Sequence, residues 1–139
     1  MDISLSNIEL IEATLFETTM LLTVRIINEN PDPLTVTGGV YKVDLNGLKI
    51  GKGVSGEILE IPRFSTGTTT VTFHISNLAL LTRVKALLEN QSIGYTIISR
   101  VYTRSGQRNR RVYRKKEGFL DFNEKEESLE REPASTASF

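Results

Sequence analysis

The chain of 139 residues predicts a mainly β fold, a two-sheet antiparallel β-sandwich with one α-helix between its later strands. Three observations predict it. Short segments alternate apolar and polar residues, as Thr70-Val71-Thr72-Phe73-His74-Ile75 does. Turn-forming residues recur between them, most sharply Asn46-Gly47 between Leu45 and Leu48. A single segment, carrying Leu80, Leu81, Val84, Leu87 and Leu88, switches to helical spacing.

Ile3 to Leu15 alternates loosely and reads as a first strand. Thr19 to Asn28 is clearer, with Met20, Leu22, Val24 and Ile26 on one face and Leu21, Thr23, Arg25 and Ile27 on the other. Apolar residues on both faces predict a central strand. Asn28-Glu29-Asn30-Pro31-Asp32-Pro33 forces a loop, because two prolines remove donors and restrict the residues before them. Leu34 and Val36 alternate in one phase and Tyr41, Val43 and Leu45 in the other, so a bulge is expected at Gly38-Gly39.

Asn46-Gly47 predicts a type I′ hairpin turn, since both positions need positive φ. In that register Leu45 faces Leu48, Val43 faces Ile50, and Asp44 meets Lys49 as an opposite-charge pair. Gly51 and Gly53 then fall on the polar face of the second strand, leaving it bare. Ile58, Leu59 and Ile61 form a short apolar run ended by Pro62, and Ser65 to Thr70 reads as a turn-rich stretch before the strand Val71 to Ile75. Ser76 or Asn77 can cap the helix, which ends near Asn90. Ile93, Tyr95, Ile97 and Val101 mark a further strand running into the Ser105-Gly106-Gln107 turn. A basic return strand follows, and a short run from Phe119 to Phe122 is expected to close the sheet.

An apolar fraction of 39% is enough to build a core and argues against intrinsic disorder. With no cysteine, a disulfide framework, a thiolate metal site and a Cys nucleophile are all excluded. No apolar run approaches the roughly 20 residues that span a bilayer, and the N-terminus lacks a secretory pattern. The chain therefore reads as soluble and cytoplasmic, or as periplasmic or lipid-anchored if an export segment has been removed. Residues 1–122 are expected to form the sandwich. Residues 123–139, acidic at first and then Pro-Ala-Ser-Thr rich, are expected to form a disordered tail.

Few residues suggest chemistry. His74 sits between Thr72 and Ser76 with no carboxylate at ligand spacing, so a polar surface residue is the simpler reading than a general acid or base. Gly53-Val54-Ser55-Gly56 lacks the spacing of a nucleophile elbow, and the glycines from Gly47 to Gly56 lack the phosphate-cradle pattern. Glu57 and Glu60 carry no accompanying signature. The basic stretch from Arg100 to Lys116 is the sharper feature. Arg108, Arg110, Arg111 and Arg114, interleaved with Tyr113, could hold anions, whereas the plainer reading is a charged edge strand that blocks aggregation.

The order Asn30-Pro31, then Gly39-Val40-Tyr41-Lys42-Val43-Asp44-Leu45-Asn46-Gly47, Ile50-Gly51-Lys52-Gly53-Val54-Ser55, Ile61-Pro62 and the strand Val71 to Ile75 resembles the WHy domain of type 2 late embryogenesis abundant proteins. The resemblance covers roughly residues 5–120. It implies an immunoglobulin- or fibronectin III-like sandwich in which Asn30, Pro31, Tyr41, Asn46, Gly47, Gly53 and Pro62 are structural. It also implies a non-enzymatic protein without cofactor, linked to desiccation, cold and other stress, whose partners would be client proteins or a membrane surface. Two other readings stay open: a nucleic-acid or anionic-membrane module using the basic 100–116 hairpin, with nucleic acid the less favoured, and an accessory domain of a cell-envelope lipoprotein.

Overall fold

A computed structural model describes residues 1–13, 18–75, 78–89 and 92–121. The strands are β1 (Asp2–Ala13), β2 (Thr18–Ile27), β3 (Leu34–Leu45), β4 (Leu48–Ser55), β5 (Leu59–Ile61), β6 (Thr66–Ile75), β7 (Ser92–Ser105) and β8 (Arg108–Asp121), with helix α1 (Leu78–Leu88) joining β6 to β7. Two antiparallel sheets result, the smaller ordered β1-β2-β6 and the larger β4-β3-β7-β8, with β5 paired to the start of β3. Their facing sides share one core, in which Met20, Leu22, Val24 and Ile26 of β2 meet Tyr41, Val43 and Leu45 of β3 and Ile93, Ile97 and Val101 of β7. Burying each aliphatic chain of this size contributes about 1.5–3 kcal/mol. As expected of a strand apolar on both faces, β2 lies in the middle of its sheet.

Bulges explain where the alternation looked loose. In β1, Ser6 is extra between Leu5 and Asn7, so the inward phase passes from Ile3 and Leu5 to Ile8. The Ser6 hydroxyl donates to the Thr23 carbonyl at 3.2 Å across the irregularity. In β3 the register against β7 shifts between Val36 and Gly38. The expected phase change is thus present, but its extra residue is Thr37 rather than one of the Gly38-Gly39 pair, which stays in register with Tyr102 and Val101.

The Asn46-Gly47 turn has the positive φ values of 49° and 80° that its type demands, and Leu45–Leu48 and Asp44–Lys49 pair as expected. The next pair does not. Val43 faces Gly51 rather than Ile50, because the strand bulges there with Gly51 at φ 134°. The bulge inverts the faces beyond it. Gly53 points into the core, not onto the polar face, and a Cβ there would lie 2.5 Å from Val71 Cγ1 and 2.8 Å from Phe73 Cε1.

Three further expectations are corrected. Strand β6 begins at Thr66, not Val71, because the stretch read as turn pairs with β2 from Ile27 onward. The Phe119–Phe122 run is no separate strand: β8 pairs continuously with β7 from Arg108 to Asp121, and Phe119 is exposed while Leu120 enters the core. The first strand is described as far as Ala13. The proposed helix caps Ser76 and Asn77, its end at Asn90, Phe122 and the 123–139 segment lie outside the described residues. In α1, Leu81 and Val84 are buried, with Leu80, Leu87 and Leu88 packed partly against the core. No helix among the described residues is long and apolar enough to cross a membrane.

Candidate functional site

The outer face of the larger sheet is built by the residues that alternate with the core positions of β3, β4, β7 and β8. Strand pairing sets them in rows. Lys52, Lys42, Ile98 and Lys115 form one row across all four strands. The next row holds Val54, Val40, Arg100 and Tyr113, and beyond it Tyr102 pairs with Arg111. Lys49, Asp44, Thr96 and Glu117 form the row on the other side. Strands lie about 4.8 Å apart, so a four-strand row spans roughly 14 Å.

Large apolar groups stand open on this face. Ile98 is 46% exposed and Val54 68%. A shallow cavity of about 190 Å³ lies between the first two rows, lined by Val40, Lys42, Lys52, Ile98, Arg100 and Tyr113.

Arginine and tyrosine alternate between β7 and β8. The Arg100 and Arg111 guanidinium carbons lie 5.9 and 6.0 Å from the Tyr102 ring centre, within cation–π range. Arg111 Nη1 donates to the Tyr113 hydroxyl at 3.3 Å. That hydrogen bond, with the guanidinium charge, draws the Tyr113 phenol below its ordinary pKa and raises that of Arg111.

The four arginines singled out in the sequence do not form one cluster. A period of two splits them: Arg111 stands on the outer face with Arg100 and the tyrosines, while Arg108, Arg110 and Arg114 share the side of β8 that carries Leu120 inward. Arg114 instead closes the sandwich, its Nε donating to the Met1 carbonyl at 2.9 Å, and Lys116 reaches Asp2 at 3.3 Å. The lysines of β3 and β4 escaped sequence reading because only strand pairing brings Lys42 and Lys52 beside the basic hairpin.

Of the residues expected to be structural, Asn30, Pro31, Asn46, Gly47 and Pro62 lie at two junctions. The Asn46 backbone amide donates to the Gly94 carbonyl at 2.7 Å and its Oδ1 accepts from the Gly94 amide at 2.8 Å, so the Asn46-Gly47 turn is fastened to β7. The Asn30-Pro31 loop and Ile61-Pro62 meet at Asn28, which is fully buried. Its Nδ2 donates to the carbonyls of Asp32, Ile61 and Pro62 at 2.9, 3.4 and 3.2 Å, and its Oδ1 accepts from the Asn30 amide at 3.1 Å. The sequence places Asn28 where the second strand gives way to the loop and assigns its side chain no role. The clue was a polar residue in phase with the buried Met20-Leu22-Val24-Ile26 run.

Tyr41 fills the core, and Gly39 leaves room for its ring, since a Cβ there would lie 2.6 Å from its hydroxyl. Burial pushes the Tyr41 phenol up to about 12. His74 lies on the outer side of the smaller sheet, its Nδ1 3.4 Å from the Thr19 hydroxyl. Among the described residues no group of three or more His, Asp or Glu could hold a metal ion.

Two antiparallel sheets over one core, with helix α1 between β6 and β7, define a β-sandwich. The late embryogenesis abundant protein family matches this chain over residues 23–117. The chain belongs to that family, in its type 2 branch. Among solved structures, AT1g01470 from Arabidopsis thaliana is 13% identical over 86% of this chain and 80% of its own, with a TM-score of 0.56. A protein from Archaeoglobus fulgidus is 17% identical over 85% of this chain and 97% of its own, with a TM-score of 0.48. Curated proteins give no match.

Proposed function

We propose that this chain is a non-enzymatic stress-protective protein of the WHy kind, acting in desiccation or cold by holding other surfaces against the outer face of its larger sheet. Family membership supports the protective role. The observation that carries the choice of surface is the pair of rows in which exposed Ile98 and Val54 stand among Lys42, Lys52, Lys115 and Arg100. Apolar groups bind surfaces exposed by drying, and the surrounding cations keep the face hydrated when water is plentiful.

The test is inactivation of a fragile reporter enzyme by drying or freeze–thaw. This protein is compared at equal mass with an unrelated β-sandwich of similar size and charge. Protection above that control is the expected result; protection no better than the control overturns the reading.

A further inference from the structure

Lys42 and Lys52 stand directly opposite each other on β3 and β4, and both are exposed. Like charges so placed destabilise a sheet, so the pair makes sense as a surface that awaits negative charge. The same row continues through Ile98 to Lys115, with Arg100 in the next row and Arg111 in the row beyond that. Asp44 and Glu117 border the patch, Glu117 lying 3.8 Å from Lys115.

We infer that the partner of this face is a membrane surface rich in anionic phospholipid headgroups, an inference that rests on the face being the protein's contact surface. The charge is spread over two dimensions, across four strands and three rows, whereas a single-stranded polyanion follows a line of cations along a groove. Val54 and Ile98 supply apolar groups that a headgroup layer accepts, and Tyr113 is an amphipathic ring of the kind that settles at such interfaces. Guanidiniums held against tyrosine suit the oxyanions of phosphodiesters.

The full chain is floated with vesicles of phosphatidylcholine alone and of phosphatidylcholine with phosphatidylglycerol. Binding is expected to the anionic vesicles only and to weaken as salt rises. Each cation at such a surface is worth about fivefold in partitioning, so the triple variant Lys42→Gln, Lys52→Gln, Lys115→Gln loses on the order of a hundredfold. Ile98→Ser weakens binding without altering its salt dependence. The control Arg108→Gln, Arg110→Gln, on the other side of β8, stays within roughly fivefold of the parent.

Absence of binding to anionic vesicles, equal binding by the triple variant, or capture of a labelled single-stranded oligonucleotide in preference to vesicles overturns the inference. The reporter-enzyme assay, run without lipid, separates the two readings. Protection without vesicle binding overturns the lipid partner alone, while vesicle binding without protection supports it and overturns the protein-protecting role.

Discussion

Asn46 and Gly94 are joined by a reciprocal pair of hydrogen bonds, Asn46 N to Gly94 O at 2.7 Å and Gly94 N to Asn46 Oδ1 at 2.8 Å. Asn46 therefore does two things at once: it tolerates φ of 49° and fastens the β3–β4 turn to β7. Asn46→Gly keeps the backbone freedom and loses the side-chain acceptor, at a cost of about 1 kcal/mol. Asn46→Ala loses both, at about 2 kcal/mol. Urea unfolding midpoints should fall in that order with an unchanged slope.

Asn28 is the buried joint of the loops on either side of it in space. Asn28→Ala strands the Asn30 amide and three carbonyls and should destabilise by about 3 kcal/mol. Asn28→Asp is expected to be worse at neutral pH. Its carboxylate would face three carbonyl oxygens, so its folded-state pKa would be raised and stability would be recovered as pH falls. Thermal unfolding at pH 5 and pH 8 checks the sign.

Gly53 has no room for a side chain, because a Cβ there meets Val71 and Phe73. Gly53→Ala should cost about 1–3 kcal/mol by overpacking. The companion Gly56→Ala, where an added Cβ meets nothing within 4 Å, should be nearly neutral. Parallel denaturant curves for the two variants distinguish core glycine from loop glycine.

Tyr41 sets an alkaline limit. Its phenol is raised from 10.0 to about 12 by burial, so the folded state holds its proton where the unfolded state releases it. Stability from this group is full below pH 10 and is lost as pH rises through about 12, to a total near 3 kcal/mol. Tyr41→Phe should remove that decline. It should cost little at neutral pH, since the Tyr41 hydroxyl has no hydrogen-bond partner among the described residues. Unfolding curves between pH 9 and pH 12 provide the check.

Residues 123–139 hold five glutamates against one lysine and one arginine, so residues 1–122 alone carry three more positive than negative side chains. A chain ending at residue 122 should bind anionic vesicles more tightly than the full chain, with a steeper salt dependence. Flotation of both lengths over a salt series measures the difference.

Local chemistry made much of the fold legible. The Asn46-Gly47 hairpin, the central β2, the alternating β6 and the single helix each follow from a period or a turn residue read within a dozen positions. At Gly53 one extra residue reversed the expected face. The bulge at Ile50-Gly51 left Leu45–Leu48 and Asp44–Lys49 intact yet carried Gly53 from surface to core. Because side chains alternate with a period of two, a single insertion exchanges every face beyond it.

The sequence by itself determined the family resemblance, the sandwich class and the presence of a basic late segment, since composition, turn chemistry and periodicity are properties of neighbours along the chain. Tertiary structure alone decided which charges act together. It turned Arg108, Arg110 and Arg114 away from Arg111, tied Arg114 to Met1, and set Lys42 and Lys52 in one row with Lys115, more than sixty positions later in the chain. The reason is physical: a face of a sheet is assembled sideways, by hydrogen bonds between strands distant in sequence, and its charge pattern exists only once the register is fixed.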